Sequence, residues 1–116
     1  MELIIYTFYL FNLFRVVHTE IRVFGVTVAY GRDGLTVSPQ RIRNDMQLSH
    51  IIYLGETRVS ATAFFSFLRG INLVYKLKKY DLFRENCRHF SRLLIRELQP
   101  SHPEQGNSFA DFQFET

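Results

Sequence analysis

Tyr80-Asp81-Leu82-Phe83-Arg84-Glu85-Asn86-Cys87-Arg88-His89-Phe90-Ser91 decides how this chain is to be read, because it carries the only cysteine among 116 residues. From Cys87 onward, Phe90, Leu94 and Leu98 recur at helical spacing. Arg84, Arg88, Arg92 and Arg96 recur every four residues on a neighbouring face, so the spacing predicts an amphipathic helix. Asn86 suits the N-cap, which places Cys87 in the first turn. Unpaired backbone N–H groups and the helix dipole there favour a thiolate over a thiol. A lone cysteine in that place reads in two ways, as a nucleophile or as a small buried hydrophobe.

The length fits one domain with a real core. Hydrophobic residues make up 47% of the chain and aromatics 16%, too apolar a composition for a disordered segment. One cysteine makes no internal disulfide, which points to a reducing compartment, the cytoplasm or nucleus. All 14 Lys and Arg precede residue 100, with eight of the 11 acids, so the body is basic. No RNA-binding aromatic motif, zinc knuckle or low-complexity basic run accompanies that charge. It reads as a solvated face, with no nucleic-acid partner, cofactor or metal expected.

Working toward the amino end, Leu3 to Phe14 is rich in β-branched and aromatic residues. Arg15 closes it well short of the roughly 20 apolar residues of a membrane span. Glu2 and the bulky aromatics do not suit a signal peptide, so the stretch reads as a buried strand, with a signal-like anchor as the other reading. No stable membrane insertion is expected. From Val16 to Gly31 the apolar alternation changes phase at Phe24-Gly25, which predicts two strands joined by a tight turn. Gly31-Arg32-Asp33-Gly34 reads as a second turn.

Residues 36–50 read as a polar surface loop, and His50–Gly55 as a further strand. Thr57 or Ser60 then caps a helix whose apolar stripe is Phe64, Phe65, Leu68 and Ile71, with Gly70 as its stop. Leu73–Phe83 is a connector. Residues 100–116 hold three acids and no Lys or Arg and read as a flexible tail, leaving 1–99 as the domain.

The resulting order is strands, a helix, then a cysteine opening the last helix, with His18 upstream on a strand. In this order and spacing the chain resembles the PPPDE family, permuted papain-fold isopeptidases that act in desumoylation and deubiquitination. Three blocks carry the likeness: His18-Thr19-Glu20-Ile21-Arg22-Val23-Phe24-Gly25 with Tyr30-Gly31-Arg32-Asp33-Gly34-Leu35; Leu54-Gly55-Glu56-Thr57 leading into Phe64-Phe65-Ser66-Phe67-Leu68; and the Tyr80–Ser91 block. Thr7 stands where the family has an aspartate, and its proline-glycine loop has shrunk to Val37-Ser38-Pro39-Gln40.

The resemblance implies an α+β fold, a small antiparallel sheet packed with helices and a catalytic cysteine at the start of the last helix. It implies a cysteine isopeptidase acting on ubiquitin-like modifier conjugates, and allows a homodimer. Cys87 matches the nucleophile and His18 the general base. The backbone N–H of Cys87 would help bind the oxyanion. Asn86-Cys87-Arg88-His89-Phe90 is also similar to the permuted papain-like acyltransferase and phospholipase family. That family has a second histidine on the strand after the first, and Val26–Tyr30 holds none. A protein thioesterase and an inactive binding module on the same fold are the remaining readings.

Overall fold

The computed structural model describes residues 1–31, 34–77 and 87–102 of the chain. Five strands and two helices follow one another: β1 (Glu2–Leu10), β2 (Phe14–Val23), β3 (Val26–Gly31), β4 (Gly34–Ser38), β5 (Gln47–Tyr53), α1 (Ala61–Leu77) and α2 (Cys87–Leu98). The strands form one antiparallel sheet in the order β4-β3-β2-β1-β5. This is the α+β arrangement expected, with Cys87 the first residue of the last helix.

β1 explains its own continuous apolar run. It lies second from one edge, paired to β2 on one side and β5 on the other, and Leu3, Ile4, Ile5 and Tyr6 are all buried, so both of its faces are covered. On one face Leu3 and Ile5 join Ile21, Phe64, Phe90 and Leu94 in the core between sheet and helices. On the other, the Tyr6 hydroxyl accepts from the Arg43 backbone N–H at 3.0 Å, because the segment between β4 and β5 folds back over this face. Among the described residues no helix is long and apolar enough to cross a membrane.

The turn expected at Phe24-Gly25 joins β2 to β3, and both of its residues have positive φ, 52° and 74°. That backbone matches the twist of a tight hairpin, and glycine takes it freely. Phe24 takes it at a cost. Its ring packs 5.8 Å from that of Phe64 and 6.2 Å from that of Phe65, contacts that offset the strain. Gly31 pairs with Gly34 across the second turn, whose two central residues lie outside the described ones.

Two expectations need correction. The span 36–50 is not all loop: β4 continues to Ser38, because Val37 and Thr36 extend the β3 ladder opposite Val28 and Ala29. Likewise β5 already begins at Gln47, an edge strand whose ladder partner is β1. The turn-forming Pro39, Asn44 and Asp45 do lie in the irregular segment between them. Gly70 does not stop α1, which runs on to Leu77. Glycine costs about 1 kcal/mol inside a helix, and burial of Phe64 and Leu68 with partial burial of Ile71 outweighs it.

Helix ends follow local chemistry. Ser60 caps α1, its Oγ accepting from the Ala63 N–H at 3.2 Å and its carbonyl from the Phe64 N–H at 3.0 Å. Thr57 instead donates from its hydroxyl to the Leu98 carbonyl at the end of α2. Gln99, with φ 47°, ends α2 in the left-handed region. Pro100 then bridges to Thr57, and the Ser101 and His102 N–H groups donate to Glu56 and Leu54 carbonyls at 3.0 and 2.8 Å. Gly55 accommodates this strap, since a Cβ there would lie 1.8 Å from Ser101 Oγ. The segment expected to be a flexible tail is thus tied down over its first three residues; the rest of it, like the Asn86 cap and residues 78–83 of the expected connector, lies outside the described residues, and residues 73–77 of that connector are the end of α1.

Candidate active site

The site arises where the sheet splits. β2 pairs with β3 only over Ile21–Val23, although β3 continues to Gly31. The β2 edge at Val17–Thr19 is left for the amino end of α2. The thiol of Cys87 lies 3.8 Å from the Val17 carbonyl and donates toward it. Thr19 Oγ1 donates to the Cys87 carbonyl at 3.2 Å and exchanges a hydrogen bond with Ser91 Oγ at 2.7 Å. Cys87, Phe90, Ser91, Leu94, Ile95 and Leu98 are the buried stripe of α2, so the helix phase that docks the helix also fixes Cys87 against the strand.

His18 meets Cys87 from the other face of β2. In register with Tyr6 across the β1–β2 ladder, it projects away from the helices, and its ring sits 6.0 Å from that of Tyr6. His18 and Cys87 line the same cleft, and each lies close enough to shift the titration of the other. Burial pushes the Cys87 thiol up, but His18 first, and the Thr19 N–H after it, overcome this, so its pKa lies below the ordinary thiol value. For His18, burial disfavours the charged ring, yet the bonds to Cys87 and Glu20 raise its pKa to about 9. The arrangement favours a thiolate beside an imidazolium.

Sequence reading missed Glu20. Its Oε2 lies 2.7 Å from His18 Nε2, and only 3% of its side chain is exposed. A buried carboxylate needs compensation, and Arg43 supplies it, with Nη1 3.2 Å from the same Oε2. Asp45 holds Arg43 in turn through two bonds, Nε to Oδ1 at 2.9 Å and Nη2 to Oδ2 at 2.6 Å. The Asp45 pair, ahead of Glu20, keeps the Arg43 guanidinium charged. The signal was present in His18-Thr19-Glu20, since residues two apart on a strand share a face. Arg43 was not legible, because only the folded-back segment brings it there.

The thiol and the imidazole open onto a cleft of about 560 Å³. Phe8 and Val16 form one wall, Ala29, Gly31 and Gly34 another, and Gln40 and Arg43 the rim. His89 lines a different cleft, with Arg58, Arg92 and Arg96, on the side of α2 facing the 99–101 strap. Among the described residues no three His, Cys, Asp or Glu side chains converge as a metal site.

Comparison with known proteins agrees with this architecture. A family model described as the PPPDE putative peptidase domain matches residues 12–116. A curated Caenorhabditis elegans protein named desumoylating isopeptidase 1 homolog is 31% identical over 90 residues, covering 70% of this chain and 27% of that protein. The chain therefore spans about a quarter of the length of that curated relative. No solved structure matches it. With the match covering all but the first 11 residues, the chain belongs to the PPPDE putative peptidase family.

Proposed function

We infer that the protein is a cysteine isopeptidase that cuts a ubiquitin-like modifier from a target lysine, with Cys87 as nucleophile and His18 as general acid and base. The observation that carries this reading is a buried thiol in the first turn of a helix that shares a cleft with an imidazole, whose proximity lowers the thiol pKa. The family supports a peptidase, and the relative's printed name supports the modifier as substrate. The cleft wall of Ala29, Gly31 and Gly34 suits the narrow, extended carboxyl end of such a modifier.

The chemistry proceeds in two halves. The Cys87 thiolate attacks the isopeptide carbonyl carbon, and the carbonyl electrons move onto oxygen. Backbone N–H groups of the first turn of α2, that of Cys87 among them, stabilise this oxyanion. On collapse the C–N bond breaks, and His18 gives its proton to the leaving lysine amine. Because Glu20 holds Nε2, Nδ1 is the ring nitrogen that serves the thiol and the leaving group. Water then attacks the thioester, His18 accepting its proton, and the modifier leaves as a free carboxylate.

SUMO and ubiquitin probes carrying a carboxyl-terminal electrophile test this reading. Labelling at Cys87 by either one, lost in Cys87→Ser, is the expected result and identifies the modifier. Silence with both, alongside turnover of an acyl thioester, would move the assignment to a thioesterase.

A further inference from the structure

A cysteine beside a histidine is sufficient for thiol chemistry, yet here a third group is built into the site at considerable electrostatic cost. Glu20 sits at the centre of the sheet, on a strand paired on both sides at that level or next to it, with β1 through Ile4 and β3 from Ile21 onward. Its side chain is as buried as the hydrophobic core. An apolar residue would fill this position without the desolvation that a carboxylate suffers. The carboxylate is nevertheless kept, with one oxygen shared between His18 Nε2 at 2.7 Å and Arg43 Nη1 at 3.2 Å.

Resting on the proposed isopeptidase chemistry, we propose that Glu20 is a positioning residue that completes a Cys87–His18–Glu20 triad, with Arg43 as the latch that holds the carboxylate in place. Glu20 accepts a hydrogen bond from His18 Nε2–H, which orients the ring so that Nδ1 faces the thiol. It stabilises the imidazolium that forms when the thiol gives up its proton, as the acid of a Ser-His-Asp triad does. Arg43 and Asp45 belong to the segment between β4 and β5, so the latch also ties the rim of the cleft to the imidazole. Arg43 is further anchored through its backbone N–H, which donates to Tyr6 on β1.

The charges facing this pair come from every element packed against it. Arg43 and Asp45 lie on the folded-back segment and Tyr6 on β1; Arg22 follows Glu20 on the same face of β2; Cys87 and Arg88 lie on α2. Arg22 is turned to other work, donating to Thr27 Oγ1 at 3.1 Å and the Pro39 carbonyl at 2.8 Å. Arg43 and His18 are therefore the partners that Glu20 serves.

The test compares wild type with Glu20→Gln, which keeps the shape and an acceptor but removes the charge, and with Glu20→Asp. Iodoacetamide alkylation of Cys87 is followed against pH, alongside steady-state cleavage of whichever modifier probe is turned over and thermal melting. In Glu20→Gln, alkylation at neutral pH slows by about tenfold, and kcat falls on the order of 100-fold with KM nearly unchanged. That is less than the roughly 10⁴ of a serine triad, because a thiol ionises more readily than a hydroxyl. The basic limb of kcat, set by loss of the His18 proton, moves to lower pH, and Glu20→Asp recovers part of the loss. A purely structural residue would change melting and leave the pH profile in place, so superimposable profiles for wild type and Glu20→Gln overturn the triad.

If the variants do not fold, nitrogen-15 NMR of wild-type His18 decides. A proton retained on Nε2 and shifted to low field across the range in which Cys87 is thiolate supports the triad, and an Nε2 without one overturns it. Should no modifier be cleaved at all, the isopeptidase reading fails, while the alkylation and NMR results still decide the role of Glu20.

Discussion

Val17, Thr19 and Ile21 point to the helices, whereas His18, Glu20 and Arg22, alternating with them on the same strand, point to the segment between β4 and β5. The helix side of β2 is mostly apolar and joins Phe64, Phe90 and Leu94 in the core. The other side, from His18 to Arg22, is polar and paired, through His18–Glu20, Glu20–Arg43 and Arg43–Asp45. Two adjacent residues thus face environments of different kinds. One side of the strand derives its stability from burial of apolar area. The other spends burial on charges that are neutralised in pairs, which holds their geometry but contributes little net stability. Cys87 belongs to both sides, since its helix packs on the apolar face while its thiol, against the Val17 carbonyl at the strand edge, lines the same cleft as the imidazole.

Substitutions on the two sides should therefore separate chemistry from stability. Cys87→Ser is expected to abolish modifier cleavage and probe labelling while the melting temperature stays close to wild type, as activity and calorimetry on one preparation would show. Next in size, His18→Ala should lower kcat by about 10³-fold, less than the roughly 10⁴ to 10⁶ lost from serine triads because a thiol ionises more readily than a hydroxyl. A kcat within a few-fold of wild type would break the division between the faces. On the helix side, Phe90→Ala should cost about 3–5 kcal/mol by urea denaturation, the usual range for a fully buried phenylalanine. Its folded fraction should keep a near-normal pH profile. The smallest effect belongs to Arg41→Ala, which removes an exposed pair with Glu2 outside both faces. Neither melting nor activity should change measurably, and a clear loss of activity would extend the functional face to the sheet edge.

The pH dependence follows from the two shifts. His18, raised to about 9, keeps its proton well above the ordinary imidazole range, while Cys87 loses its proton below the ordinary thiol range. In the proposed mechanism turnover needs both the thiolate and the protonated ring, so it should rise as Cys87 ionises and fall as pH passes about 9. For stability the signs oppose. The raised His18 pKa contributes stability that is present below the unfolded value of 6.5 and lost through about 9. The lowered Cys87 pKa contributes stability above its unfolded value that is lost as pH falls through its folded one.

Sequence alone revealed what depends on near neighbours. The α2 stripe from Cys87 to Leu98, the Phe24-Gly25 turn and the Ser60 cap are all written in residues a few positions apart, and the structure contains each of them. The expectation that His18 works with Cys87, 69 positions later, rests on the family resemblance as well as the pattern. What stayed hidden depends on distant partners. β4 is short, with Thr36 and Val37 exposed, and is a strand because β3 offers it a ladder. Gly70 reads as a stop only until the packing of Phe64 and Leu68 is known. Glu20 reads as one more solvated acid until Arg43, 23 positions away, is seen to compensate it.

The most direct test of the central claim, that Cys87 and His18 act as one acid–base pair, is the rate of Cys87 alkylation by iodoacetamide from pH 5 to 10 in wild type and His18→Ala. The pair predicts a wild-type rate that is already high at neutral pH and exceeds that of a free thiol there. It predicts a His18→Ala profile at least about tenfold slower at pH 7, rising only near the ordinary thiol range around 8.5. Profiles that coincide would show that the two side chains titrate independently, and the proposed pair would be wrong.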